Sequence, residues 1–322
     1  VHAAFVRSPY AHAKINGIDT TAAKAMPGVV AVVTPEEMAE ICTPWVGVLT
    51  HLEGLKSAPQ YPLPLDTARW QGEAIVAVVA NSRAEAEDAA AMVEIDWEVL
   101  PVAVDAETAL DADTQVIHES LGDNLAWKRN ADFGDVDAAY AAADHVIEDT
   151  FIFGRHTGVC LETRGLVADY ESSEEQLTVW HNNQCPHMIQ NILATHYGLE
   201  EHRVRVITRD VGGSFGIKVH TYADEITTVG LSVMLKRPVK FIADRLESFT
   251  SDIHARDHRV KGKIAVKADG TITAFEIDDL TGVGPYSMYP RTSAIEANQV
   301  VNMIGGPYLF ENYRAEANVV YQ

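Results

Sequence analysis

The residues with the clearest chemical potential are consecutive: Arg209-Asp210-Val211-Gly212-Gly213-Ser214-Phe215-Gly216-Ile217-Lys218. Glycine tolerates positive φ and lets a ligand approach the backbone, and N–H groups exposed where a strand turns into a helix favour a phosphate or an oxyanion. The spacing is not that of the common nucleotide loops, because there is no G-x-G-x-x-G and Lys218 does not follow a glycine as in a Walker A loop. An anion cradle and a plain strand-to-helix turn are therefore both open readings. Elsewhere, Glu162 and Arg164 read as a structural ion pair rather than as a general acid and base. Cys185, beside Gln184, reads as a small core residue. His12 has no sequence partner and reads as structural. The cluster Asp252 to His258 could hold a metal, but its alternation fits a solvated strand edge better. There is no H-E-x-x-H and no C-x-x-C, and Cys42, Cys160 and Cys185 lie far apart, so no metal held by protein side chains is expected.

The elements that must position these residues can be read from periodicity. Alternation over 204–208 predicts the strand that enters the loop, and an apolar period over 222–235 predicts the helix that leaves it. Pro186 opens another helix, with Ile189, Ile192, Leu193 and Tyr197 on one face and Gly198 as its stop. Residues 74–80 form the clearest strand. Ser82 and Glu85 then make a capping box for an alanine-rich helix to Met92, and 93–99 returns as a strand. Pro27-Gly28 turns into a strand over 29–34, with a short helix from Pro35. Residues 42–68 read as loop, and 100–134 as a linker lying on a surface. Beyond it come a short helix over 135–143, strands over 145–153, 165–170, 177–180 and 238–242, and a short helix or turn over 244–249. Strands over 259–266 and 271–280 form a hairpin in which Asp269-Gly270 favours a type I′ turn. The whole reads as α/β (α+β), with domains at 1–110 and 135–322, a linker at 111–134 and a boundary near 130.

Composition sets outer limits. A chain of 322 residues with 47% hydrophobic and 22% charged content has the make-up of an ordinary globular protein of more than one domain. Its 25 basic against 46 acidic residues give a net charge of −21, which disfavours nucleic acid and anionic membranes. No run approaches the roughly 20 apolar residues of a membrane span. Scattered cysteines suggest a reducing, cytoplasmic setting. The opening Val1-His2-Ala3-Ala4-Phe5-Val6 is strand-like rather than a signal peptide, and the chain is expected to be an internal fragment.

Gly212 to Lys218, with Trp180-His181-Asn182-Asn183-Gln184 upstream and Arg237-Pro238-Val239-Lys240 downstream, resembles the large, molybdenum-binding subunits of the xanthine dehydrogenase, aldehyde oxidase and carbon monoxide dehydrogenase family. Arg7-Ser8-Pro9-Tyr10-Ala11-His12-Ala13, Trp70-Gln71-Gly72-Glu73-Ala74-Ile75-Val76-Ala77 and Glu87-Asp88-Ala89-Ala90 are similar to that family's N-terminal hammerhead domain. The resemblance implies a hammerhead-like α/β domain at 1–110 and, at 135–322, the first part of a mixed-sheet molybdopterin-binding domain. It implies a molybdenum-molybdopterin cofactor in the cytosine dinucleotide form, whose metal is held by the pterin rather than by side chains. Gly212, Gly213, Ser214, Phe215 and Gly216 would bind that cofactor, and Gln184 would act in catalysis by donating a hydrogen bond to an oxo ligand of the metal. Ser214 stands where a third glycine is usual. Glu162 and Arg164 match a Glu-Pro-Arg element near the family's pocket.

The implied activity is oxidative hydroxylation of an aldehyde, an N-heterocycle or carbon monoxide, with water as the oxygen source. Val219 lies where purine-oxidising members carry an acid, so orientation of a purine by a carboxylate is not implied. Electrons would pass to a 2Fe-2S cluster in an iron-sulfur subunit and to FAD in a flavin subunit, within a dimer of heterotrimers. The base, a glutamate, is expected beyond Gln322, so the fragment alone is expected to be inactive. Two rivals stay open: a non-enzymatic anion- or nucleotide-binding module, and an inactive scaffold fragment of the same family.

Overall fold

Seven consecutive apolar residues, Ala74–Ala80, are all buried, as such a run requires when a strand is covered on both faces. In the computed structural model, which describes residues Val1–Gln322, this strand lies antiparallel between His2–Arg7 and Val29–Val33. The sheet has seven strands, in the order Val204–Ile207, Gln176–His181, Gly165–Glu171, Val239–Ile242, His2–Arg7, Ala74–Ala80, Val29–Val33. It is mixed: Gln176–His181 runs parallel to Val204–Ile207, as does His2–Arg7 to Val239–Ile242, while the other neighbours are antiparallel. A three-stranded sheet of Thr67–Ala68, Ala13–Asp19 and Glu94–Val99 completes the strands of this unit.

Its helices begin and end where local chemistry dictates. Ser82 and Glu85 form the expected capping box for Arg83–Ala90, and Thr34 and Glu37 form another for Pro35–Ala39. Pro186 opens Pro186–Tyr197, and Gly198 closes it at φ 64, a left-handed conformation that costs glycine little. The apolar helix Ala223–Leu235 packs against the strand Gly165–Glu171, and Pro186–Tyr197 packs against Val204–Ile207. No helix is long and apolar enough to cross a membrane.

The packing does not follow chain order. One compact unit comprises Val1–Trp45, Pro59–Pro101 and Thr157–His254, and the other comprises Val46–Ala58, Val102–His156 and Ala255–Gln322. The expected division into 1–110, 111–134 and 135–322 is a division along the sequence. In space, the N-terminal strands share their sheet with residues 165–242.

The second unit is built on a five-stranded sheet ordered Leu125–Phe133, Asn312–Val320, Ile272–Gly282, Asp257–Val266, His145–Phe153. Only the pair Ile272–Gly282 and Asn312–Val320 is parallel. Its core gathers Trp127, Ile277, Ala297, Val301, Ala317 and Tyr321. Three expectations are corrected here. Residues 125–133, expected within a linker, form a sheet strand whose Ala126 and Trp127 are buried while Lys128 pairs with Glu316 at 2.6 Å, so polar side chains mask its alternation. The hairpin does not close in a two-residue type I′ turn. Lys267 N–H donates to Thr271 O, Gly270 N–H donates to Lys267 O, and Gly270 alone takes positive φ, 89°, which describes a longer turn with a glycine bulge.

The third correction concerns Asp252 to His258. Asp257–Val266 is flanked on both sides by strands, and His258 is buried rather than solvated. Its Nδ1 lies 2.9 Å from Asp279 Oδ1 and its Nε2 lies 3.9 Å from Glu296, which also pairs with Arg256. Burial disfavours the imidazolium, but Asp279 and Glu296 outweigh it and push the pKa from 6.5 up to about 9, while Arg256 and His258 hold Glu296 at about 2 against its own burial. The sheet's outer strand, His145–Phe153, is exposed along its whole length, and its Ile147, Phe151 and Phe153 line a cavity of about 500 Å³.

A pKa raised on folding contributes stability that is complete below the unfolded value and is lost as pH rises through the folded one. The His258 cluster is therefore expected to stabilise fully between about pH 4.5 and 6.5, to weaken as pH falls from 4.5 toward about 2 and Glu296 takes up its proton, and to fade as pH rises from 6.5 to about 9. Melting temperature measured across that window should fall less steeply in His258→Gln than in the wild type. The variant should also be less stable at pH 6 by on the order of 2 kcal/mol.

Candidate functional site

The loop leaves the sheet after Ile207 and enters the helix at Ala223. Within it, Gly213 has φ 99, Phe215 has φ 49 and Gly216 has φ 88. For Phe215 the left-handed conformation costs on the order of 1 kcal/mol, because its Cβ crowds the following carbonyl. The conformation leaves Phe215 80% exposed, and the N–H groups of Gly213, Ser214, Phe215 and Gly216 donate to nothing within the chain. A Cβ built on Gly216 would meet nothing within 4 Å, so this side of the loop is open.

The opposite side is held tightly. Glu162 accepts hydrogen bonds from Gly212 N–H at 2.8 Å and from Lys218 Nζ at 2.6 Å, and Lys218 is buried. A Cβ on Gly212 would sit 2.5 Å from that of Glu162, so only glycine permits this approach. Burial favours the neutral acid at Glu162, but the Lys218 ammonium and the Gly212 amide prevail and hold its pKa below the ordinary value. Cys160 adds a thiol donor to Ser214 O at 3.2 Å, and Arg245 Nη2 donates to Cys160 O at 2.7 Å.

The expected pairing of Glu162 with Arg164 does not occur. The backbone between them is irregular. Glu162 turns to the loop, while Arg164, 1% exposed, turns inward. Arg164 donates to Asp224 at 2.9 and 3.1 Å, to Glu225 at 3.0 Å, to Asp252 at 2.6 Å and to Ser251 Oγ at 2.8 Å, with its guanidinium 3.7 Å from the centroid of the Tyr222 ring. Arg7 also reaches Asp224, at 2.9 Å. Burial would raise the Asp224 pKa, yet the two arginines hold it well below the carboxylate range. His181 Nε2 lies 3.1 Å from Glu225, and its buried Nδ1 has no partner.

The fold brings Gln184 to the glycine loop. Gln184 N–H donates to Lys218 O at 3.1 Å, its side-chain oxygen accepts from the Ser214 hydroxyl, and Lys218 N–H donates to Ser214 Oγ at 3.2 Å. Gln184 itself is exposed and keeps its amide NH2 free to donate. Two other candidates lie apart from this network. Cys185 is half-buried at the start of the helix Pro186–Tyr197 rather than in the core, and His12 is buried with Nδ1 2.9 Å from Pro101 O. Sequence reasoning missed the roles of Lys218, Asp224, Glu225 and Asp252. The one local signal was the acidic pair Asp224-Glu225 in the first turn of a helix. A cavity of about 320 Å³ adjoins Glu162, with Trp180, Asn182, Arg209 and Lys240 in its lining. As a whole, the site offers a row of unused backbone donors and one neutral side-chain donor, suited to a ligand rich in hydrogen-bond acceptors.

Two family models match the chain. The molybdopterin cofactor-binding domain covers residues 117–322, and the aldehyde oxidase and xanthine dehydrogenase a/b hammerhead domain covers residues 1–101. The nicotine 6-hydroxylase large subunit of Paenarthrobacter nicotinovorans is 39% identical over 92% of this chain and 36% of its own length. The carbon monoxide dehydrogenase large chain of Afipia carboxidovorans is 34% identical over 94% of this chain and 38% of its own. The crystal structure of quinoline 2-oxidoreductase from Pseudomonas putida 86 superposes with a TM-score of 0.94 at 33% identity, covering 99% of this chain and 40% of that one. The chain thus spans well under half the length of these relatives.

Removing the Arg164 guanidinium would leave buried carboxylates without their main counter-charge. Arg164→Met is expected to destabilise the protein by on the order of 3–5 kcal/mol, measured by chemical denaturation. Glu162→Gln, at a partly exposed carboxyl, should lower stability much less.

Proposed function

The chain belongs to the molybdenum hydroxylase family that includes the large subunits of xanthine dehydrogenase, aldehyde oxidase and carbon monoxide dehydrogenase, and on that premise we propose that it is part of such a large subunit. Its reaction is the oxidative hydroxylation of an aldehyde or an N-heterocycle, or the oxidation of carbon monoxide, with water as the oxygen source. The observation that carries this reading is the open face of the glycine loop: four unused N–H groups, no obstruction at Gly216, and the Gln184 amide alongside.

These features fit a molybdenum-molybdopterin cofactor. A pterin rich in acceptor atoms needs backbone donors at close range, and the unused amides from Gly213 to Gly216 supply them, with no side chain at Gly216 to obstruct the approach. When bound, the cofactor supplies two-electron chemistry at a metal that the chain itself does not ligate. Gly212, Gly213, Ser214, Phe215 and Gly216 bind it, with the exposed Phe215 ring helping to exclude water. Gln184 donates from its amide nitrogen to an oxygen ligand of the metal, adding no charge where charge develops. Glu162, Lys218 and Arg164 keep this surface in place and take no part in proton transfer.

The finer assignments belong to the same proposal. The cofactor is the cytosine dinucleotide form, the glutamate base lies outside residues 1–322, and electrons leave through a 2Fe-2S subunit and an FAD subunit in a dimer of heterotrimers. The small-molecule substrate is an N-heterocycle, an aldehyde or carbon monoxide rather than a purine, since Val219 carries no carboxylate. The setting is cytoplasmic, and the chain is divided into a hammerhead-like segment 1–110 and a molybdopterin-binding segment that takes in the strand Leu125–Phe133 as well as 135–322.

In the complete enzyme, Gln184→Ala is expected to lower turnover by on the order of 10²-fold with little change in melting temperature. An unchanged rate at full molybdenum occupancy would assign Gln184 a structural role only. Gly216→Val should leave a folded complex that is depleted of cofactor or inactive, whereas a mere turn would lose only roughly 1 kcal/mol of stability. Molybdenum and pterin content, melting temperature and rate, measured on one preparation, separate the two. Absence of both molybdenum and pterin from the wild-type complex would favour an anion-binding module instead.

A further inference from the structure

The hydrogen bonds around Ser214 have a direction that fixes the side chain beside it. Lys218 N–H can only donate, and it lies 3.2 Å from Ser214 Oγ, so the hydroxyl oxygen is the acceptor there. The hydroxyl proton must then go elsewhere, and the acceptor in contact with it is the Gln184 side-chain oxygen. Turning the Gln184 amide over would place NH2 against the hydroxyl and leave the hydroxyl proton without an acceptor. The frame behind this relay is rigid. Lys218 O accepts from Gln184 N–H at 3.1 Å, and the Lys218 ammonium is locked to Glu162 at 2.6 Å. One residue, Lys218, thus holds both the main chain of Gln184 and the side chain that orients its amide.

We propose that Ser214 is a positioning residue: its hydroxyl holds the Gln184 amide with oxygen toward the loop and NH2 toward the open face, so that Gln184 is presented as a donor. The proposal rests on the reading above, in which Gln184 donates to a ligand of molybdenum, and it adds what sets the direction of that donor. A glycine or alanine at 214 would leave the amide free to present either end, and an oxygen facing an oxygen ligand would repel it.

The test uses the complete holoenzyme, with rates expressed per bound molybdenum and with whichever of quinoline, benzaldehyde or carbon monoxide the wild type oxidises as the probe. Ser214→Ala should lower kcat by about 10- to 100-fold while leaving KM within about twofold. Ser214→Thr, which keeps the hydroxyl, should restore most of the rate, and in a Gln184→Ala background the loss of the hydroxyl should add nothing. If Ser214→Ala does not accumulate, Ser214→Gly removes the same hydroxyl together with the carbon that carries it. A neutron structure of the holoenzyme gives a readout independent of turnover. It should place the Gln184 NH2 away from Ser214 in the wild type, and in either orientation in the alanine variant. An NH2 facing Ser214 in the wild type, full kcat in the alanine and glycine variants, or a loss that persists without Gln184 would each overturn the proposal. If Gln184→Ala retains full kcat, the assignment of Gln184 fails instead, and the amide orientation in the two structures still decides the role of Ser214.

Discussion

A single buried guanidinium sets the frame on which the first unit's chemistry depends. Arg164 faces Asp224, Glu225 and Asp252, with Arg7 sharing the load on Asp224. Charges removed from water are tolerated only while every partner is in place, so the cluster admits few alternative packings. Its members come from the lead-in to Gly165–Glu171, from the first turn of Ala223–Leu235 and from the end of the helix Arg245–Ser251. The exit of the glycine loop is thereby fixed to the sheet. Two residues earlier, Glu162 fixes its entrance through Gly212 and its far end through Lys218. One short irregular stretch therefore anchors the loop on both sides while leaving its other face open.

This arrangement separates holding from binding. Charged side chains do the holding, out of contact with the open face, and uncharged donors are left for a ligand. Such a site has no group of His, Cys, Asp or Glu side chains placed to hold a metal ion, and the chemistry of its donor set is that of a backbone. The same separation accounts for how the loop tolerates serine at position 214: its side chain is drawn into the holding network by Lys218 and Gln184 rather than projecting into the space above.

How much of this was legible in the sequence follows from how local each determinant is. The strand Ala74–Ala80, the capping box at Ser82 and the stop at Gly198 depend on neighbours a few residues apart, and the structure has them where the pattern puts them. The juxtaposition of Gln184 with the glycine loop was implied by the family resemblance and not by any local pattern. The strand Leu125–Phe133 was hidden because its burial rests on two residues amid polar ones, and the hairpin turn was misjudged because Asp-Gly does not by itself fix loop length. The ionic partners were out of reach. Arg164 meets carboxylates 60, 61 and 88 residues away, and Lys218 meets Glu162 at a separation of 56, whereas adjacency in sequence had suggested that Glu162 and Arg164 pair with each other. No period or propensity encodes such pairings; the sheet does, by bringing distant segments together.

Phe215 carries a consequence for any attempt to stabilise the loop. An aromatic residue held at φ 49 with its ring in solvent is a poor choice for the stability of residues 1–322 taken alone. Asparagine or glycine would relieve the backbone, and either would expose less apolar surface. Selection for stability alone, or a redesign guided only by it, would replace this side chain early. If the ring lies against the proposed cofactor, a thermostabilising programme that replaced it would trade function for melting temperature.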